Sequence, residues 1–118
     1  MIPSVDDVAA AAPFIARRFG IDALFPIVGV RAALEEASTL GAGGRDEAAA
    51  VFFAFARRGR ALGGWWRVLS DLLTLQVARA ASGAPLRATA DELAGLRLDV
   101  ATRRANFDDV RRWFAERS

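Results

Sequence analysis

The chain of 118 residues is long enough for one domain with one core. It contains no His, Cys, Lys or Tyr, which excludes histidine and thiol catalysis, disulfides and thiolate metal sites, and we expect no metal and no cofactor. Sixteen arginines face fourteen acidic residues, and the net charge of +2 does not predict the dense basic surface of a nucleic-acid-binding protein.

No apolar run reaches the roughly 18 residues that a membrane-spanning helix needs. The beginning of the chain does not resemble a signal peptide, because Asp6 and Asp7 stand where such a peptide is positively charged. We therefore expect a cytoplasmic protein without a membrane partner, folded as a single helical domain over residues 1–118.

The first predicted helix opens at Ser4, a plausible N-cap, and closes at Gly20. Its apolar residues recur at spacings of three and four, which is one helical stripe: Val5, Val8, Ala12, Ile15 and Phe19. Pro13 lies inside this segment and is expected to kink or shorten the helix, because proline cannot donate a backbone hydrogen bond.

Residues 21–29 are predicted to be a connector, since Pro26 and Gly29 interrupt them. A short second helix is expected to follow, and residues 40–44 form a glycine-rich loop. A third helix can start at Asp46. Its bulky side chains point in more than one direction, because Phe53 does not share a face with Val51, Phe52 and Phe55, so this helix is expected to be covered on several sides.

Residues 65–81 are apolar around nearly the whole circumference of a helix, which is typical of a central, buried helix. Thr89 with Glu92, and Asn106 with Asp109, form capping-box pairs that predict two further helices. No stretch alternates with period two for long enough to predict a strand. The predicted fold class is all-α, a compact bundle of about six helices.

The segment Arg60-Ala61-Leu62-Gly63-Gly64-Trp65-Trp66-Arg67-Val68 joins a Phe-rich helix to a very apolar one. Together with the opening Ile2-Pro3-Ser4-Val5-Asp6-Asp7-Val8 and the tail Phe107-Asp108-Asp109-Val110, it resembles the Fic/Doc family, and the Doc-type toxins in particular. The resemblance extends over nearly the whole chain in the order and length of its elements. It implies a Fic/Doc-like helical fold from a bacterial source. Active members of the family transfer AMP or phosphate from a nucleotide to protein hydroxyl groups.

The central motif departs from the family pattern at the positions that carry chemistry. Arg60 stands at the position of the catalytic His, and an arginine cannot act as a base near neutral pH. Gly64 replaces the acidic metal-holding residue, Trp65 a small residue and Trp66 the Asn. The features that remain are the apolar Leu62, the pair Gly63-Gly64 before a helix, and one basic residue, Arg67.

The resemblance thus implies a pseudoenzyme without catalytic residues, which acts by protein–protein binding in a toxin–antitoxin or regulatory complex. A Doc-type toxin has a groove that accepts a helix of its antitoxin, so the expected partner is a small helical, antitoxin-like protein or a second copy of the chain. A local cluster, Arg57, Arg58, Arg60 and Arg67, is a candidate contact for an anion or a partner.

Two alternatives stay open. In a divergent transferase, Arg60 and Arg67 would hold phosphates and Asp71 would act as base, although Asp71 and Arg67 can also be a simple pair one helical turn apart. In a nucleic-acid-binding protein, a less expected role, the arginine cluster and the two tryptophans would form the surface. Two adjacent residues cannot share one helical face, and the other interpretation of the pair puts Trp66 in the core and leaves Trp65 partly exposed.

Overall fold

The computed structural model describes residues 1–41, 44 and 46–117. Within them, six helices have ten residues or more: α1 (Val5–Phe19), α2 (Ile27–Leu40), α3 (Glu47–Ala56), α5 (Trp66–Ser82), α6 (Ala90–Ala101) and α7 (Phe107–Glu116). A one-turn helix, α4 (Gly59–Leu62), and a 3₁₀ turn (Gly63–Trp65) join α3 to α5. The described residues contain no strand, which confirms the predicted all-α bundle.

The centre of the bundle is α3, which packs against α2, α5, α6 and α7. Seven of its ten residues are buried, whereas α5 buries one face and exposes Arg67, Gln76 and Arg79. The central place predicted for residues 65–81 was therefore wrong. The apolar circumference of α5 does not reflect burial on all sides, because Leu75 is exposed to solvent.

Two apolar clusters lie on either side of α3. One side of the helix, including Val51 and Phe55, packs with α1, α2 and α5, and the other side, including Phe52, packs with α6 and α7. Phe53 joins the second cluster, with its ring centroid 5.6 Å from that of Phe107. The prediction that α3 is covered on more than one side is confirmed.

One predicted boundary was wrong in the first third of the chain, whereas Ser4 and Gly20 are the N-cap and C-cap of α1, as predicted. Pro13 does not shorten α1, which continues to Phe19. The predicted connector over residues 21–29 ends earlier, because α2 begins at Ile27 and contains Gly29. A side chain at Gly29 would come within 3.2 Å of Ala61, so this glycine allows α2 to approach α4 closely. Within the predicted loop at 40–44, Leu40 ends α2, and residues 42 and 43 lie outside the described residues.

Both predicted capping boxes are present. The Thr89 hydroxyl accepts from the N–H of Glu92, and the Glu92 carboxylate accepts from the N–H of Thr89. Asn106 and Asp109 make the same reciprocal pair. The hydrogen bond from the N–H of Thr89 lowers the pKa of Glu92, and Arg117 lowers it further. The hydrogen bond from the N–H of Asn106 lowers the pKa of Asp109, and Arg112 lowers it further. Each carboxylate therefore stabilises the fold above its ordinary pKa, and that contribution is lost as the pH falls through its lowered folded-state pKa.

We expect Thr89→Ala and Asn106→Ala each to lower the free energy of unfolding by about 1 kcal/mol, because each leaves backbone N–H groups of a first helical turn without an acceptor. Urea unfolding at neutral pH measures the change. Ser38→Ala is the matched control, since Ser38 is exposed in the interior of α2 and caps nothing. Cap variants that unfold at the same urea concentration as this control would contradict the prediction.

No helix of the described residues is both long enough and apolar enough to cross a membrane.

Candidate functional site

The two adjacent tryptophans of the motif have reversed places relative to the sequence prediction. Trp65 is buried, with 2% of its surface exposed, while Trp66 is partly exposed. The indole N–H of Trp65 donates to the carbonyl oxygen of Ala23 at 3.0 Å, and its ring meets that of Phe25 edge to face at 5.3 Å. Trp65 therefore fixes the segment between α1 and α2 to the beginning of α5.

Trp66 joins the beginning of α5 to the end of α3. Its indole N–H donates to the carbonyl oxygen of Ala56 at 2.9 Å, one of the last carbonyls of α3. Gly59 leaves room for the ring, since a side chain there would meet it at 3.4 Å. The structure thus uses both indoles to hold the scaffold together, and neither ring is free to act as an open stacking platform.

The glycine pair of the motif makes a tight backbone turn. Gly63 has φ of 54° and ψ of −127°, a backbone conformation that residues other than glycine rarely adopt. Its N–H donates to the carbonyl oxygen of Gly59, and the N–H of Trp66 donates to the carbonyl oxygen of Gly63. These two N–H groups are already used by the protein itself, so they are not available to hold a phosphate.

The four arginines proposed as one cluster fall into two pairs with different surroundings. Arg57 and Arg58 both donate to the carboxylate of Glu36, at 3.0 and 2.5 Å, which ties the end of α3 to α2. Arg60 and Arg67 are exposed, and the described residues offer neither of them an ion pair within 4 Å. Arg60 and Arg67 are therefore the members of the cluster without a carboxylate partner among the described residues.

Asp71 pairs with Arg97 of α6 instead of with Arg67. The guanidinium of Arg97 donates to Asp71 at 2.5 Å and to the Ser70 hydroxyl at 3.4 Å, and it lies 5.5 Å from the ring centroid of Trp66. The Arg97 side chain is 4% exposed and that of Asp71 is 28% exposed. The guanidinium of Arg97 is therefore a buried cation beside Trp66 of the motif.

Burial raises the pKa of the Asp71 carboxyl above its ordinary value, while Arg97, and to a smaller extent Arg67, oppose the rise. Because the raised pKa makes the folded chain bind the proton more tightly than the unfolded chain does, this group favours the folded state most strongly at low pH. Its contribution falls as the pH rises through the raised pKa of Asp71. This is the opposite of the behaviour of the capping carboxylates.

An open cavity of about 560 Å³ lies between the end of α1, the segment that follows it, and the outer face of α5. We call it the connector cleft. Residues 19–23 form one wall, and residues of α5 and the preceding turn form the other: Gly64, Arg67, Val68, Asp71 and Leu72. Gly64, Arg67 and Val68 are the motif residues that line it, whereas Arg57, Arg58 and Arg60 are not among its lining residues.

In the part of the chain that the structure describes, no group of three Asp or Glu residues is placed to hold a metal ion. Two carboxylates line the connector cleft, Asp22 and Asp71, and Asp71 is engaged by Arg97.

Arg97 was missed at the sequence level, although a signal for it exists. Leu93, Leu96 and Val100 mark the buried face of α6, and position 97 falls on that same face, because residues three and four apart share a helical side. A charged residue in such a stripe indicates a buried partner of opposite charge. The partner itself, Asp71, could not be read from the periodicity.

Comparison with protein-family models, with curated proteins and with solved structures finds no match to this chain. The resemblance to the Fic/Doc family therefore stays a prediction from the sequence.

Proposed function

We propose that the chain is a non-catalytic, Fic/Doc-like helical domain that acts by binding another protein, in a toxin–antitoxin or other regulatory complex. The observation that carries the proposal is the exposure of large apolar side chains on and around the first two helices. Phe14 is 70% exposed, Leu24 93% and Val28 74%. Exposed apolar side chains mark a surface that binds other proteins where they form one patch, which is the arrangement that the proposal requires of these three.

The state of the motif supports the same proposal. A nucleotide-transferring site needs a base, groups that hold phosphate and space for the nucleotide. Here Arg60 takes the place of the base, the N–H of Gly63 is used by Gly59, and Trp65 fills the interior with an indole fixed at both ring and N–H. Binding needs none of these groups, so a chain that lost them can still keep a partner.

Co-expression of the chain with the products of its neighbouring genes tests the proposal. We expect the chain to purify in a complex of fixed stoichiometry, with a small helical protein or with itself, as measured by size-exclusion chromatography with light scattering. With labelled ATP and Mg²⁺, we expect no transfer of label to protein. A chain that stays monomeric with every neighbouring product, or one that binds Mg-ATP tightly and transfers label, would contradict the proposal.

A divergent transferase is the second candidate, and one observation favours it. Arg67 and Asp71 both line the connector cleft, and burial raises the pKa of Asp71, which is the direction of shift that strengthens a carboxylate as a general base. Transfer of label that Asp71→Asn abolishes would establish this candidate in place of the first. Asp91→Asn is the control, because Asp91 is exposed in the first turn of α6, where the structure gives it no ion pair with any described residue.

A further inference from the structure

The surface around the connector cleft combines apolar side chains with positive charge. Phe19 is 48% exposed at one end of the cleft. Leu24, directly after the wall formed by residues 19–23, is exposed to solvent. Val68 and Leu72 lie one helical turn apart on the opposite wall. A binding segment would therefore find apolar contacts on both walls and at the edge.

The positive charge around this cleft exceeds the negative charge of the carboxylates that line it. Arg67 lines the cleft, and Arg17 and Arg18 lie in the last turn of α1, immediately before Phe19. All three are exposed, and no described carboxylate lies within 4 Å of any of them. Of the two acids in the cleft walls, Asp71 is engaged by Arg97, which leaves only Asp22 to offset three cations.

The arginines on the other side of the bundle differ in this respect. In and just after α7, Arg111, Arg112 and Arg117 each have a carboxylate within 4 Å, from Asp108, Asp109 and Glu92 respectively. Exposed arginines without an ion pair to a described residue also occur elsewhere, Arg60 and Arg79 among them, but those at the cleft lie beside apolar side chains that solvent can reach. A partner with complementary charge would gain both in encounter rate and in orientation at this place.

We propose that the connector cleft binds an acidic, amphipathic polypeptide segment. Its apolar side chains lie against Phe19, Val68 and Leu72, and its carboxylates face Arg67 and the end of α1. This inference rests on the proposed function and specifies the surface and the chemistry of the partner. A free nucleotide or an anionic membrane would satisfy the arginines alone, whereas an acidic peptide also covers the apolar walls.

A displayed library of helical peptides, randomised at charged and apolar positions, tests the inference on the full chain. We expect selection to enrich sequences in which Asp or Glu flank Leu, Ile or Phe. A representative peptide, synthesised together with a twin in which every acid is Lys, is then titrated calorimetrically. The acidic peptide is expected to bind and the basic twin is not.

Two matched pairs of variants locate the binding. Arg67→Glu is expected to weaken binding of the acidic peptide about tenfold. Arg79→Glu on the same helix is expected to leave binding unchanged, because Arg79 is exposed and has no ion pair with any described residue. Phe19→Ser is expected to weaken it as well, in contrast to Leu98→Ser on α6, where Leu98 is 56% exposed. Circular dichroism checks that each variant is folded.

Four results would overturn the inference: enrichment of neutral or basic peptides, no enrichment at all, equal binding by the Arg67→Glu variant, or binding of phosphatidylcholine–phosphatidylserine vesicles in place of peptide. If a partner from the co-expression experiment binds with the same affinity to the Arg67→Glu and Phe19→Ser variants, the proposed function stands and the location in the cleft fails. The two proposals can therefore be rejected separately.

Discussion

Replacing Trp65 by Ala is expected to lower the free energy of unfolding by about 4 kcal/mol, because removal of a fully buried aromatic side chain leaves a cavity that the surroundings fill only in part. The indole has 2% of its surface exposed, contacts Phe25 edge to face and donates to Ala23. Its loss also removes the hydrogen bond and the ring contact that hold the segment between α1 and α2 to the beginning of α5. Urea unfolding followed by far-ultraviolet circular dichroism gives the value.

Two controls separate packing from other causes. Trp65→Phe keeps a ring in the site and loses the hydrogen bond to Ala23, so it is expected to cost clearly less than Trp65→Ala. Phe14→Ala removes an aromatic ring that is 70% exposed, and its effect is expected to stay within about 0.5 kcal/mol. A Trp65→Ala chain that is as stable as the Phe14→Ala chain would show that the indole does not hold the scaffold.

The helices could be predicted because their signals are local. Each signal, the apolar stripe of α1 or the capping box of α6 or α7, is formed by residues that are close together in the sequence. The structure has each of them where the spacing places it. The beginning of α2 could not be predicted, because Pro26 and Gly29 are residue types that usually interrupt a helix. Proline is in fact compatible with a helix start, where it serves as the N-cap residue of α2, and Gly29 serves a contact with α4.

The places of the two tryptophans could not be predicted, because they depend on the turn in front of them. Trp65 ends a 3₁₀ turn, which has about 3.0 residues per turn, while Trp66 begins an α-helix with about 3.6. Helical periodicity carried backwards from α5 therefore gives Trp65 the wrong direction. The same limit applies to the connector cleft, since its two walls are distant in sequence and meet only through the packing around Trp65.

The ion pair between Arg97 and Asp71 gives the second large effect. Arg97→Met is expected to lower the free energy of unfolding by about 3 kcal/mol at neutral pH, because it leaves a half-buried carboxylate without its cation. Methionine keeps an unbranched side chain beside Trp66, so the loss reports mainly on charge. The value lies near the lower end of the range for broken buried pairs, since the Asp71 side chain is 28% exposed and keeps some contact with water.

The pH dependence of this deficit distinguishes charge from packing. Arg97 lowers the pKa of Asp71 against the effect of burial, so its removal lets that pKa rise further. The variant then binds the Asp71 proton more tightly in the folded state than the wild type does, and its deficit grows as the pH rises and narrows as Asp71 becomes protonated. Unfolding in urea at a series of pH values below 7 measures the trend. A deficit that is constant over this series would mean that Arg97 acts by packing alone.

The double variant Arg97→Met with Asp71→Asn is expected to recover much of the loss of stability at neutral pH. Arg79→Met is expected to show no loss of stability, because Arg79 is exposed on α5.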